Sequence, residues 1–133
     1  MVKQGSQGLA AGELLLKEAF EDYENVGFHA QQAAEKFIKA FLVCHQIEFS
    51  KTHNIALLRQ LIASVDPELV KTLAGADALT PYGVEFRYPG DLPSVSRTDG
   101  EKAVRLAEQT RDLIIGSLQS YINAGRPGGE GRK

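Results

Sequence analysis

The chain has 133 residues, a net charge of −2, 43% hydrophobic residues and 24% charged residues, which is typical of a single globular domain. This charge gives no support for the basic surface that sequence-independent nucleic-acid binding needs. The single cysteine, Cys44, excludes a disulfide within one chain. The sequence has neither a signal-peptide pattern nor a membrane-spanning apolar run, so we expect a cytoplasmic protein.

Apolar residues at helical spacing predict five helices. The predicted helices cover residues 9–23, 28–46, 53–65, 67–79 and 98–123. Residues 1–7 are expected to fray, and the Asn and Gly of residues 24–27 predict a break between the first two helices. Thr52 is a candidate N-cap for the third helix. Asp66-Pro67 predicts the start of the fourth, because Asp caps helices and Pro fits the first helical position.

The second predicted helix has the widest apolar face. Its apolar residues recur at steps of three and four: Ala30, Ala34, Phe37, Phe41 and Cys44. The opposite face carries Gln31, Glu35 and Lys39, with Glu35 four residues before Lys39 in the favourable orientation for a helical ion pair. The pattern predicts a core helix of a bundle and leaves open whether its polar face meets water, a nucleotide or a second subunit.

Residues 80–97 contain three prolines and two glycines, which predict a loop of a length that is often functional. Thr98 and Glu101 match a capping box at the start of the last helix. Residues 124–133 are glycine-rich and are expected to be disordered. The sequence therefore predicts one domain, residues 1–123, folded as an all-α antiparallel up-and-down bundle of four to five helices.

No zinc-ligand spacing, phosphate-binding glycine loop or nucleophile elbow is present, so we expect neither a metal nor another cofactor. His29 and His45 lie sixteen residues apart on one helix, about 24 Å along its axis, and cannot share a site within one chain. His53, at the start of the third helix, is expected either to form a hydrogen bond across the bundle or to contribute to a site.

Two pairs of residues are candidates for binding. Lys36 and Lys39 form a charged helix face that is either solvated or positioned to meet a phosphate or an acidic partner. Arg87 has a planar fork suited to phosphate or carboxylate, and Tyr88 offers a ring on which a base can stack. The alternative for Arg87 and Tyr88 is a structural role, in which they anchor the loop to the bundle.

Three motifs occur in order along the chain. Residues 32–40 read Gln-Ala-Ala-Glu-Lys-Phe-Ile-Lys-Ala, residues 53–55 read His-Asn-Ile, and residues 86–89 read Phe-Arg-Tyr-Pro. With these motifs the chain resembles the HEPN domain family over roughly residues 9–123. The resemblance implies an all-α bundle, commonly a homodimer, that binds a nucleotide or partners a minimal nucleotidyltransferase, in some cases as a toxin–antitoxin-like pair.

Some HEPN proteins are metal-independent ribonucleases that use an Arg followed four to six residues later by a His. All three histidines of this chain precede its first arginine, Arg59, so that order is absent. The resemblance thus favours a non-catalytic bundle, with Lys36, Lys39, His53, Arg87 and Tyr88 as its nucleotide-binding or partner-binding residues. The alternatives are a ribonuclease, with RNA as its substrate, that pairs His53 with Arg87 or Lys39, and a purely dimeric interaction scaffold.

Overall fold

The computed structural model describes residues 2–17, 23–83 and 96–124, which fold as an all-α bundle. The helices are α1 (Val2–Lys17), α2 (Tyr23–Cys44), α3 (Ile55–Leu61), α4 (Pro67–Thr72) and α5 (Arg97–Asn123). A 3-10 turn, Ile62–Ser64, extends α3, and a 3-10 helix, Ala74–Gly83, follows α4. The predicted all-α class is confirmed. None of the helices in these ranges is long and apolar enough to cross a membrane.

Helix α2 is the centre of the bundle. Helix α1 runs antiparallel to it, because Gly5 lies against Phe37 whereas Gly12 lies against the backbone of Val26. Helix α5 packs alongside α2 from its first turn, where Gly100 contacts Val26, to its last turn. The largest fully buried apolar side chains include Phe37, Ile38, Phe41, Leu42, Ile55, Leu58, Ile62, Leu73, Leu79 and Ile114. One contiguous core therefore surrounds α2.

The burial of α2 extends to its polar face. Between residues 30 and 42, only three side chains are not buried: Gln32, Lys36 and Ala40. Gln31 and Glu35 are fully buried and Lys39 is 8% exposed, so the alternative of a solvated face is wrong for these three residues. The reason is that Gly83 and His53, from later segments, cover this face and contact Gln31 and Glu35.

The predicted break at residues 24–27 is also wrong, because α2 begins at Tyr23 and runs through it. Gly27 is typical of turns, but here it lies inside the helix because the ring of Tyr82 packs against it. A Cβ built on Gly27 would lie 2.7 Å from the ring of Tyr82. The glycine thus allows the ring of Tyr82 to pack directly on the helix backbone.

The start of α1 and the end of α4 also differ from the prediction. Helix α1 starts at Val2, not at residue 9, and its early turns pack closely on α2 through Gly5 and Gly8. Helix α4 ends at Thr72, and the 3-10 helix Ala74–Gly83 replaces both the predicted end of that helix and the start of the predicted loop. The rest of that loop, residues 84–95, and the tail, residues 125–133, lie outside the described residues.

The caps of two helices are formed by neighbours of the predicted residues. Asn54 caps α3, whereas the hydroxyl of Thr52 accepts a hydrogen bond from the Asn54 N–H. Ser96 and Asp99 form the capping box of α5, in place of the predicted Thr98 and Glu101. Asp66 caps α4 as predicted, with Pro67 in the first turn.

A bidentate ion pair that the sequence did not predict ties the short helices together. Arg59 of α3 donates from Nε and Nη2 to the two carboxylate oxygens of Asp77, at 2.8 and 2.6 Å. Its Nη1 donates to the carbonyl oxygen of Val70, at 3.0 Å. The hydrogen bonds that Arg59 donates to Asp77 raise the pKa of Arg59, so the guanidinium stays charged.

The contact between Gly27 and Tyr82 predicts opposite effects for two glycine-to-alanine substitutions in helices. Gly27→Ala would force the new methyl group into the ring, which is expected to lower the free energy of unfolding by about 1–3 kcal/mol. Gly116→Ala is the matched control, because nothing lies within 4 Å of its Cβ position and the better helix former should add up to about 1 kcal/mol. Urea unfolding of both variants measures the difference. Stabilisation by both substitutions would contradict the tight contact.

Candidate functional site

A buried polar network links α2 to the segment that precedes α3. Helix α2 contributes Gln31, Glu35 and Lys39, which succeed one another at intervals of about one helical turn and therefore share a face. The segment before α3 contributes His53, which lies next to the cap residue Asn54. We call Gln31, Glu35, Lys39 and His53 the Glu35 cluster.

The carboxylate of Glu35 is the common acceptor of the cluster. Its Oε1 accepts hydrogen bonds from His53 Nδ1 at 2.8 Å and from Gln31 Nε2 at 3.0 Å. Its Oε2 accepts from Lys39 Nζ at 2.7 Å. A fully buried carboxylate is costly unless it is paired and hydrogen-bonded, and here three donors from two segments satisfy it.

Gln31 connects the carboxylate to the backbone of the next segment. Besides Glu35, its Nε2 donates to the carbonyl oxygen of His53, at 3.2 Å. Its Oε1 accepts from the amide of Gln32, at 2.8 Å. Gly83 lies so close that a Cβ there would be 3.1 Å from the Gln31 amide. The orientation of this buried amide is therefore fixed by hydrogen bonds and by packing.

Two opposing effects act on the pKa of Glu35. Burial is the larger single effect and by itself would raise the pKa, because it penalises the charged form. The hydrogen bonds from Lys39, Gln31 and His53, together with the positive charge of Lys39, outweigh burial and lower the pKa below its ordinary value. Glu35 is thus an ionised acceptor at neutral pH, and His53 Nδ1 must carry the proton that it donates.

The cluster reaches solvent through His53. The side chain of His53 is 68% exposed, although its Nδ1 is held by a fully buried carboxylate. The second ring nitrogen is free to act as an acceptor in the neutral ring or as a donor in the protonated ring. Lys39 is 10% exposed along its side chain, and its Nζ lies 5.8 Å from the centre of the Phe49 ring. An oriented imidazole beside an ammonium group suits an anionic ligand.

The structure brings together only some of the predicted site residues. Lys39 and His53 share the carboxylate of Glu35. Lys36 lies on the partly exposed line of α2, beside the cluster. Arg87 and Tyr88 lie outside the described residues. Within the described ranges, no group of three His, Cys, Asp or Glu side chains is placed to hold a metal ion.

The sequence-based list of site residues omitted the two residues at the centre of the network, Gln31 and Glu35. Periodicity placed both on a polar face, and such a face is usually solvated. The signal that could have identified Glu35 is its position one and four residues before the two lysines of the motif of residues 32–40. The signal for Gln31 is weaker, because a single glutamine on a polar face carries no such pattern.

The role of Glu35 predicts that its loss is costly. Glu35→Gln removes the negative charge and leaves Lys39 buried without a counterion, which is expected to lower the free energy of unfolding by about 3 kcal/mol. Glu101→Gln is the matched control, because it breaks another i,i+4 pair, Arg97–Glu101, between exposed side chains. That change should cost at most about 0.5 kcal/mol. Equal losses in urea unfolding would contradict the role of Glu35.

The lowered pKa of Glu35 also predicts how the stability of the wild type and of Glu35→Gln depends on pH. Because the folded state lowers the pKa of Glu35, the unfolded state binds the proton more readily, and stability is lost as the pH falls through the folded pKa. The wild type should therefore lose stability in acid, below about pH 4, more steeply than Glu35→Gln. Urea unfolding at pH 7 and at several acidic pH values measures whether the free energies of unfolding of the wild type and of Glu35→Gln converge as the pH falls.

Comparison with known proteins agrees with this architecture. A sequence model of the HEPN domain matches residues 1–117. The chain is also similar to the crystal structure of ST0689, an archaeal HEPN homologue, with a TM-score of 0.67 and 20% identity over 88% of this chain and 93% of the other. No curated protein matches it. The match over most of the chain, on a bundle of the same fold, shows that this protein belongs to the HEPN domain family.

Proposed function

We propose that this HEPN bundle binds a nucleotide through its phosphates, at the surface around His53, without converting it. The observation that carries the proposal is the exposed imidazole of His53, which a fully buried carboxylate holds in one orientation. A surface histidine normally loses side-chain freedom when it binds a ligand. The hydrogen bond from Nδ1 to Glu35 already restricts the orientation of the ring before any ligand binds, so His53 is preorganised for binding.

Two lysines of α2 supply positive charge to the proposed site. The ammonium group of Lys39 has three N–H donors, of which one donates to Glu35. Lys36 follows Glu35 directly and forms no ion pair with another described residue. Because Glu35 is fully buried and paired, a phosphate at this surface would meet Lys36, Lys39 and His53 rather than a free carboxylate.

The hydrogen bond to Glu35 decides which ring nitrogen of His53 meets a ligand. Nδ1 is held by the buried carboxylate, so Nε2 is the ring nitrogen that faces a bound phosphate in the proposed site.

From the sequence, we add Arg87 and Tyr88 to the proposed site. The planar guanidinium of Arg87 suits a phosphate, and the ring of Tyr88 suits a base or sugar face. We further propose that the protein works as a homodimer and partners a minimal nucleotidyltransferase, in a toxin–antitoxin-like pair. Such a partner would use the same class of ligand that the site is proposed to hold. Co-purification of the chain with a nucleotidyltransferase encoded beside it tests the partnership.

Calorimetric titration of ATP and GTP tests the proposed binding site. The wild type is expected to bind, and Lys36→Ala, His53→Ala and Arg87→Ala should each weaken affinity about tenfold or more, because each removes a charge-assisted contact. Lys71→Ala is the control, since Lys71 is 75% exposed and pairs only weakly with Glu68, at 3.6 Å. If the wild type binds neither nucleotide, nucleotide binding is refuted and only the partner-scaffold function is left.

Cleavage of RNA is a second candidate function, favoured by the hydrogen bond between Glu35 and His53. A carboxylate that fixes the tautomer and orientation of an exposed imidazole is a recurring arrangement in acid–base catalysis. The arginine-then-histidine order of the ribonuclease members is absent, so an active site would need Lys39 or Arg87 as the partner of His53.

A metal-free assay on single-stranded and structured RNA separates the two functions. The nucleotide-binding proposal predicts no cleavage above buffer. If cleavage disappears in His53→Ala but is retained in His29→Ala, the protein is a ribonuclease that uses His53. Cleavage that persists in a His53→Ala, Arg87→Ala double variant would rule out this pair as its source.

A further inference from the structure

A groove lies beside the Glu35 cluster, between the segment that follows α2 and the exposed side of α3. Its volume is about 350 Å³, which is within the range of small-molecule pockets. The side chains that line it include Phe49, Ser50, Thr52, Leu57, Gln60 and Leu61. We call it the Phe49 groove.

The groove differs in chemistry from the Glu35 cluster. No lysine, arginine or histidine lines it, whereas the exposed, acidic Glu48 does, so the groove offers no cation to a phosphate. Its walls are apolar: Leu57 is 53% exposed and Leu61 is 37% exposed, and Phe49 is partly buried against the core. Hydroxyl and amide groups of Ser50, Thr52 and Gln60 are also present. This combination suits a flat, neutral ring with polar atoms at its edge.

The groove lies next to the proposed phosphate site at two points. Phe49 lines the groove, and the centre of its ring lies 5.8 Å from Lys39 Nζ. Thr52 lines the groove and directly precedes His53 in the chain. A single small ligand that is apolar at one end and anionic at the other could therefore contact both surfaces.

We propose that the Phe49 groove binds the base of the nucleotide whose phosphates meet Lys39 and His53. This inference rests on the proposed nucleotide binding and assigns the base to Phe49, which leaves the sugar face to Tyr88. The base stacks on or against Phe49 and covers the exposed side chains of Leu57 and Leu61. The polar groups of Ser50, Thr52 and Gln60 then meet the edge of the base.

Calorimetry with ATP, adenosine and inorganic tripolyphosphate on the full chain separates the two parts of the site. ATP is expected to bind at least about tenfold more tightly than tripolyphosphate. Phe49→Ala should weaken ATP about five- to a hundredfold, the range that base–aromatic stacking contributes. Its affinity for tripolyphosphate should be unchanged, which also shows that the Lys39 and His53 side of the site is intact.

Leu57→Gln is a second variant, and it is expected to fold normally because its side chain is half exposed. It should also weaken ATP and adenosine without affecting tripolyphosphate. The matched control is Val65→Gln, because Val65 is 46% exposed and does not line the groove. Val65→Gln should bind all three ligands as the wild type does.

The outcomes distinguish the groove from the proposed function. If ATP and tripolyphosphate bind equally, or if ATP affinity is the same in the wild type, Phe49→Ala and Leu57→Gln, the base does not bind in the groove although nucleotide binding stands. Unchanged ATP affinity in both variants would instead indicate that the groove binds an apolar side chain of a protein partner. If neither ATP nor tripolyphosphate binds the wild type, both the groove and the proposed function are refuted.

Discussion

The cost of burying the Glu35 carboxylate is the constraint on which the rest of the site depends. A fully buried carboxylate is tolerated only where donors surround it, and its donors come from α2 itself and from the segment before α3. That segment must therefore cross α2 at one place, with His53 over Glu35 and with its carbonyl over Gln31. The path of the chain between α2 and α3 and the orientation of the exposed imidazole thus have one cause.

Helical spacing was enough to predict the all-α class and the central position of α2, because apolar residues recur along it at every third or fourth position. The same reasoning failed on the polar side of α2. An i,i+4 glutamate–lysine pair looks identical in sequence whether it faces water or another segment, and the segments that cover Glu35 lie well beyond it in the chain. The predicted break at Gly27 was wrong for a related reason, because the contact that accounts for a glycine inside this helix is with Tyr82, far along the chain.

The residues of the candidate site were predictable from the sequence, but the contacts between them were not. Lys39 and His53 were identified by residue type and position, but their meeting at Glu35 depends on a contact eighteen residues apart that periodicity does not encode. The ion pair between Arg59 and Asp77 spans a similar separation and left no pattern in the sequence. Local signals therefore gave helices and candidate residues, whereas the pairings among them required the fold.

The narrow exposed line of α2 has a consequence for how this surface can change over evolution. Between residues 30 and 42, side chains other than Gln32, Lys36 and Ala40 are enclosed, so replacements elsewhere in this stretch disturb either the core or the network around Glu35. Ligand preference can therefore diversify in this stretch of α2 only through this single row of side chains. Further adaptation would have to come from the segment that carries Phe49 and His53, where half-exposed residues can be exchanged at little cost to stability.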